Sequence, residues 1–393
     1  MARRLMFNLK MLLSSPSSSF IHTLTWSPSP VAFFGSRSIF RSLTPKTDLA
    51  LDFDKFGRRT LYSDAALGID GFLQTRKLIQ QRFGSQKTLF FERIQEHMQE
   101  NNILLSEDLK NIILLMDDDE TMIELLRKAI DKFEEQNESL RFGLFQFGPL
   151  VMRLAHHLNN TDMVEWIFDR RYRLFFSQIS SVVIAMDLLF EAGKYNEVLR
   201  LFDYALENFK FDIQYPGDFV TLYFASCYKL NTTESFEKAF QLFRKLSMSK
   251  EQIKMRGLNF FLTLSIRQKH PNITLEIIET LEQRKALIVP QNLRLLAHCS
   301  IDRFSQIINI FQFYLKRDKA LNRTKLFLDE TLKEIEIAAE RNSKEDIRKQ
   351  IKNLIKNLRE SNLVETNQTL DDILMNPIDI VRRNDRQKQA IKN

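Results

Sequence analysis

A run of four carboxylates at residues 117–120 is the feature that most invites a catalytic interpretation. Clustered Asp and Glu side chains hold the divalent metal ions of many nucleases. The same run directly precedes a helix-forming segment, where acidic side chains cap free backbone amides and complement the helix dipole. We therefore interpret Asp117, Asp118, Asp119 and Glu120 as helix-start residues. The chain also leaves no room for a separate nuclease domain.

The histidines and cysteines do not follow a known ligand spacing. His156 is adjacent to His157, and His298 is adjacent to Cys299. Neighbouring residues on a helix point in different directions, so neither pair makes a ligand face. Metal-binding His and Cys spacings, the dinucleotide-binding glycine pattern and the phosphate-binding loop do not occur. The sequence thus predicts no metal site, no cofactor and no enzyme activity.

The segment 147–243 contains three similar units. Each unit has apolar residues at helical spacing, a tight turn, and a second apolar helix that closes in Ile or Leu followed by Phe. Asn and Gly at the turns suit the left-handed backbone that ends a helix. The closing residues are separated by 34, 41, 35 and 33 positions; they are Phe168, Phe202, Phe243, Ile278 and Phe311. We therefore predict six stacked helical pairs over residues 106–316.

One of these units carries a family resemblance. The turn at 191–194 (EAGK), followed by the closing Leu201 and Phe202, resembles the pentatricopeptide repeat consensus. The wider sequence is similar to the animal mitochondrial pentatricopeptide repeat-containing protein 2 family from about Arg58 to Asp379. The similar segments are RRTLYSD at 58–64, FGPLVMRL at 147–154, MDLLFEAGKY at 186–195 and CYKLNTTESF at 227–236. The resemblance implies an all-α fold, a right-handed α-solenoid of stacked pentatricopeptide-like hairpins.

Composition and periodicity divide the chain into five parts. The first part contains six basic residues, no acidic residue and many Ser and Pro, which is typical of a mitochondrial transit peptide. The parts are a disordered transit peptide at 1–47, a helical cap at 48–105, the solenoid at 106–316, two charged helices at 317–360 and a loosely ordered tail at 361–393. No stretch has the roughly 18 apolar residues that a membrane span requires.

Most of the net charge belongs to the predicted transit peptide. The whole chain carries +7 at pH 7, and residues 1–47 supply six of these charges, which leaves +1 for the rest. Net charge therefore gives no support to nucleic-acid binding, which would favour a basic domain or stripe. Local basic clusters remain, and one of them consists of Arg170, Arg171 and Arg173. We predict that this cluster lines a phosphate track; the alternative is a solvated loop.

The resemblance also implies which residues would contact RNA. In pentatricopeptide arrays, one early polar residue of each first helix contacts a base. Counting back ten positions from each turn gives Pro149, Val183, Thr221, Asn259 and Asn292. Thr and Asn can hydrogen-bond a base edge, so we predict RNA contacts from Thr221, Asn259 and Asn292. The alternative is that the two asparagines are only polar residues at helix starts.

Two functions fit these features. The resemblance implies a factor of the mitochondrial matrix that binds single-stranded mitochondrial RNA. It would assist mRNA processing or stability and thereby respiratory-chain function, with RNA-processing or ribosomal proteins as partners. The near-neutral body leaves a second interpretation, a helical protein–protein scaffold such as a mitoribosome-associated factor. Binding rather than catalysis is expected in both.

Overall fold

The computed structural model describes residues 60–378, apart from residues 101, 141–144, 250 and 317–324. The predicted transit peptide, the first part of the cap and the end of the tail lie outside this range. The helices are α1 Asp64–Leu67, α2 Ile69–Phe83, α3 Lys87–Gln99, α4 Ser106–Leu115, α5 Glu120–Leu140, α6 Gly148–Leu158, α7 Ile179–Glu191, α8 Tyr195–Asn208, α9 Gly217–Leu230, α10 Thr233–Ser249, α11 Met255–Arg267, α12 Pro271–Glu279, α13 Ile288–Cys299, α14 Phe304–Lys316, α15 Asp329–Asn342, α16 Glu345–Glu360 and α17 Leu370–Met375.

Short 3-10 helices supplement them. They are Gly84–Gln86, Asp162–Phe168, Arg170–Tyr172 and Glu282–Ala286. One helical pair of the solenoid is irregular. The second helix of this pair, which packs against α6, is the 3-10 helix Asp162–Phe168 and not an α-helix. The Asn160 side chain accepts hydrogen bonds from the amides of Asp162 and Met163 at 3.0 and 3.3 Å. This turn leaves only seven residues for the helix, and 3-10 geometry suits such short pieces.

The turns between paired helices adopt the left-handed backbone that their residue types predict. One residue in each of five turns has a φ between 49° and 73°; these residues are Asn159, Gly193, Asn231, Lys269 and Asp302. A left-handed residue ends a helix by directing the chain back across its last turn. Each turn therefore reverses the chain and places the second helix beside the first.

The first helices of successive pairs pack directly on one another. In order they are α4, α6, α7, α9, α11 and α13, and we call them the first-helix layer. The second helices α8, α10 and α12 each contact the first helix before and after them in the chain. Large aromatic side chains fill the space between pairs, as in the contact of Phe224 with Phe261 at 5.5 Å between ring centres. The all-α helical repeat solenoid is confirmed.

The C-terminal part contains a small sheet that the sequence did not predict. Strands β1, Phe327–Leu328, and β2, Val364–Glu365, pair in parallel, with α15 and α16 as the connection between them. The chain is extended here because both strands bury apolar side chains against α14 and α16. The tail prediction is also corrected for residues 361–378. They form β2 and α17 and bury Leu370, Leu374 and Met375.

Candidate nucleic-acid interface

The predicted base-contacting side chains lie inside the protein. Thr221 is fully buried, and its hydroxyl donates a 2.8 Å hydrogen bond to the carbonyl oxygen of Gly217. Asn259 is 9% exposed. Pro149 and Val183, the two apolar positions of the same series, are buried as well. RNA contact by these positions stays a prediction, which their burial disfavours.

Asn292 has a structural set of partners. Its amide nitrogen donates to the carbonyl oxygens of Ile288 at 2.6 Å and Leu326 at 2.9 Å. Its side-chain oxygen accepts a 2.9 Å hydrogen bond from the amide of Leu328. These bonds attach β1 to α13, and the side chain is fully buried. Asn292 therefore satisfies the backbone of a neighbouring strand and presents no free group to a base.

Two chain segments cover the first-helix layer, and we call them together the strap: residues 61–68 and residues 370–378. They are joined by a parallel bridge between Tyr62 and Ile378. The amide of Ser63 donates to the carbonyl oxygen of Ile378 at 3.2 Å, and the amide of Ile378 donates to that of Leu61 at 2.9 Å. The two ends of the described chain therefore meet on this layer.

Polar contacts hold the strap to three first helices. On α9, the hydroxyl of Tyr62 donates to Asp218 at 2.7 Å, and that of Tyr228 donates to Asp371 at 2.5 Å. On α6, Arg153 donates to the carbonyl oxygen of Leu67 at 2.9 Å. On α11, Arg256 donates to the carbonyl oxygens of two α17 residues. Tyr62 also lies beside Thr221. The chain itself thus occupies the face that the repeat analogy assigns to RNA.

An open groove lies next to the strap, and we call it the loop groove. Its volume is about 1240 Å³. Four chain segments line it: residues 131–135 of α5, residues 145–147, residues 170–178, and residues 208–210 after α8. A second cavity of about 690 Å³ shares Gln178 and Lys210 with it and extends to Arg153 and the strap. Loops between repeats therefore form most of this recess.

The structure brings the predicted basic cluster into this groove. Arg170, Arg171 and Arg173 line it together with Lys210. Arg171 is held by Asp169 at 2.7 Å and Asp131 at 3.2 Å, and this contact lowers the pKa of Asp169.

The remaining cations are less engaged. Arg173 donates to the carbonyl oxygen of Asn208 at 2.6 Å, which leaves its charge uncompensated. Among the described residues, Arg170 and Lys210 have no carboxylate within ion-pair distance. Three positive charges are therefore available to an anion. The α5 side of the groove carries Glu134 and Glu135, so only its 170–178 and 208–210 side is basic.

Apolar side chains accompany these charges. The ring of Phe145 is 52% exposed and stacks edge-on with Phe147 at 4.6 Å between ring centres. Leu174 is 78% exposed on the opposite loop. The N-terminus of α7 opens into the adjoining second cavity, and Gln178 at its start provides no side-chain cap. The sequence interpretation missed Phe145 and Lys210, because only folding places them beside Arg170.

Comparisons with known proteins give one consistent result. The chain is 28% identical to "Pentatricopeptide repeat-containing protein 2, mitochondrial" of Pongo abelii over 252 aligned residues. The alignment covers 64% of this chain and 64% of the relative. It is 27% identical over 256 residues to the Mus musculus protein of that name, with 65% of this chain and 66% of the relative covered. It is 29% identical over 212 residues to the Danio rerio protein of that name, and this alignment covers 54% of each chain.

These matches span less than two thirds of the relatives' length. No protein-family model and no solved structure matches the chain. Within the described residues, none of the helices combines the length and apolar character that crossing a membrane requires. The matches confirm the predicted resemblance to mitochondrial pentatricopeptide repeat-containing protein 2. Together with the stacked helical pairs, they show that the chain is similar in sequence and helical architecture to proteins named as mitochondrial pentatricopeptide repeat proteins.

Proposed function

We propose that this protein binds single-stranded RNA in the mitochondrial matrix and assists the processing or stability of mitochondrial mRNA, and so respiratory-chain function. It acts by binding, without catalysis or a cofactor, and hands the RNA to processing or ribosomal proteins. One observation carries the proposal: the loop groove joins uncompensated positive charges to an exposed aromatic ring. The mitochondrial pentatricopeptide name of the relatives supports it.

The chemistry of the loop groove suits an unpaired strand. Arg170, Arg173 and Lys210 can each neutralise a phosphate, which contributes binding that does not depend on sequence. The exposed ring of Phe145 offers a surface on which a base can stack. The open N-terminus of α7 adds backbone amides in the adjoining second cavity. The strap covers the first-helix layer, so the groove is where RNA can bind without a rearrangement.

The test is to neutralise the groove. The triple variant Arg170→Gln, Arg173→Gln and Lys210→Gln should bind a labelled, unstructured RNA at least ten-fold more weakly in fluorescence anisotropy. The dependence of affinity on salt should also flatten by about two units of slope, since each lost phosphate contact with a single strand removes about 0.7. Circular dichroism melting would show whether the variant remains folded.

A matched control is available on α16. The variant Lys349→Gln, Lys352→Gln and Lys356→Gln removes the same charge from exposed positions that do not line the groove. It should bind RNA like the wild-type protein. Equal weakening in both triple variants would contradict the groove assignment, as would wild-type protein that binds no RNA.

A protein–protein scaffold remains the alternative, and two observations favour it. Leu174 exposes most of its surface beside the groove, and Glu134 and Glu135 make one side acidic. Crosslinking in mitochondria separates the two functions. Transcripts enriched on the wild-type protein and lost with the groove variant support RNA binding. Co-purified ribosomal proteins with no crosslinked RNA support the scaffold.

A further inference from the structure

A buried group of three ionisable side chains joins α6 to α7. His156 of α6 lies 3.3 Å from a carboxylate oxygen of Asp187 and 3.6 Å from one of Glu191, measured from its Nε2 atom. Asp187 and Glu191 are four residues apart on α7, so their side chains lie on the same helix face. The side chains are 8%, 0% and 6% exposed for His156, Asp187 and Glu191. One imidazole and two carboxyl groups therefore lie close together and are almost completely shielded from solvent.

One oxygen atom of the buried Asp187 carboxylate lacks a protein partner. Asp187 is fully buried, and its Oδ1 atom accepts no hydrogen bond. Burial raises the pKa of Asp187, although His156 opposes the rise. Burial alone would lower the pKa of His156, but Asp187, Glu191 and Asp64 outweigh it and raise that pKa. With both carboxyl groups ionised, a protonated histidine would leave the group with one positive and two negative charges, and excess buried charge is costly.

The distances are longer than those of a strong, charge-assisted hydrogen bond. A buried hydrogen bond between an imidazolium and a carboxylate is expected at about 2.7–2.9 Å. The separation of 3.3 Å between His156 and Asp187 is longer than that. Tetrahedral zinc has bonds of about 2.0–2.2 Å, which place two ligand atoms roughly 3.3–3.6 Å apart. The observed separations of 3.3 and 3.6 Å match this spacing.

We propose that His156, Asp187 and Glu191 bind one divalent transition-metal ion, with Zn²⁺ as the best-fitting ion. The three ligand atoms lie within 4.8 Å of one another and combine one nitrogen with two carboxylate oxygens. Such a mixed set suits Zn²⁺ better than Ca²⁺ or Mg²⁺, which prefer oxygen ligands alone. Two carboxylates neutralise the ion fully. The free Oδ1 of Asp187 or a water completes the fourth position.

The metal would have a structural role. It would link α6 to α7 at the C-terminal end of both helices, next to the exposed turn at Ala192 and Gly193. Asp187 also lies against the backbone of Tyr62, so the same site borders the strap. The metal is therefore placed where two first helices and the strap meet.

Metal content and melting temperature test this proposal on the purified full chain. The protein is stripped with a chelator, incubated with Zn²⁺, passed over a desalting column and measured by inductively coupled plasma mass spectrometry. We expect one equivalent of zinc per chain and a melting temperature several degrees higher than in the chelator. Co²⁺ in place of Zn²⁺ should show the visible absorption of a tetrahedral site.

Adjacent histidines provide the matched comparison. His156→Gln and Asp187→Asn should each lose the zinc equivalent, the thermal shift and the Co²⁺ spectrum. His157→Gln should keep all three, because His157 instead lies against the ring of Phe72. If Asp187→Asn does not fold, His156→Gln still decides the question. No zinc on the wild-type protein, or the same zinc on His156→Gln, would overturn the proposal. None of these measurements depends on RNA.

Discussion

Replacing Gly148 with alanine is expected to lower the free energy of unfolding by about 3 kcal/mol, a cost at the upper end for an overpacked site. A Cβ atom at Gly148 would lie 2.3 Å from the carbonyl oxygen of Phe175 and 2.7 Å from side-chain oxygens of Gln178 and Ser181. The nearest of these atoms belongs to the backbone, so a side-chain rotation cannot relieve the clash. The loop at 175–178 would have to move away from α6.

Gly217 provides the control, because it is likewise the first residue of a first helix. A Cβ atom there would lie 2.9 Å from the side chain of Lys254, whose long chain is half exposed and can turn aside. Gly217→Ala should therefore change the stability by no more than about 0.5 kcal/mol. Urea unfolding of both variants measures the difference. A similar loss of unfolding free energy in both variants would contradict this prediction. It would show that the loop at 175–178 moves aside as easily as a lysine side chain.

Gly148→Ala should also affect the loop groove. Phe175 and Gln178 line it, so a displaced loop changes the spacing of the neighbouring Arg173. We expect weaker RNA binding in anisotropy measurements at a temperature where the variant remains folded. Gly217→Ala should bind RNA like the wild-type protein. This comparison connects the packing of one glycine to the proposed function.

Asn292→Ala is expected to destabilise the protein by about 3 kcal/mol, since it leaves buried backbone groups without partners. The amide of Leu328 loses its acceptor, and the carbonyl oxygen of Leu326 loses the donor from Asn292. Both groups belong to the segment at β1, where water cannot readily replace the lost bonds at Leu328. The change should therefore loosen the attachment of β1 to α13.

Asn309→Ala on α14 is the control, because Asn309 is exposed. Its unfolding free energy should stay within about 0.5 kcal/mol of the wild-type value. The pair also distinguishes a structural role from base reading. A base-reading Asn292 would change RNA sequence preference at unchanged stability, and that outcome would contradict the role assigned by its hydrogen bonds. Chemical unfolding and RNA selection on the same two variants settle the choice.

Local rules account for the parts of the fold that the sequence predicted. Helical periodicity and turn residues depend on neighbours within a few positions, so Asn159, Gly193 and Asn231 predict where the chain reverses. The same rule predicted the two charged helices of the C-terminal part, where Leu332, Ile351 and other apolar residues are buried. The break between α15 and α16 likewise follows from their local sequence.

Counting along a repeat did not predict which side chains face a ligand. The residues ten positions before each turn do occupy equivalent positions in their respective first helices. Their exposure depends on what packs over that place, and here the strap and β1 cover it. Thr221 and Asn292 are the clearest examples, because their partners are Gly217, Leu326 and Leu328. Residue type alone could not separate a base reader from a buried structural residue.

The sequence by itself determined an all-α repeat protein, the positions of its turns and its resemblance to a mitochondrial family. Only the tertiary structure decided which surfaces are open. Ser63 meets Ile378 across 315 positions, and Asp187 meets His156 across 31 positions and two helices. Asp187 stands out in the sequence as a carboxylate inside an apolar helix, but its partners do not. Pairings of this kind depend on how whole helices pack, which no local spacing records.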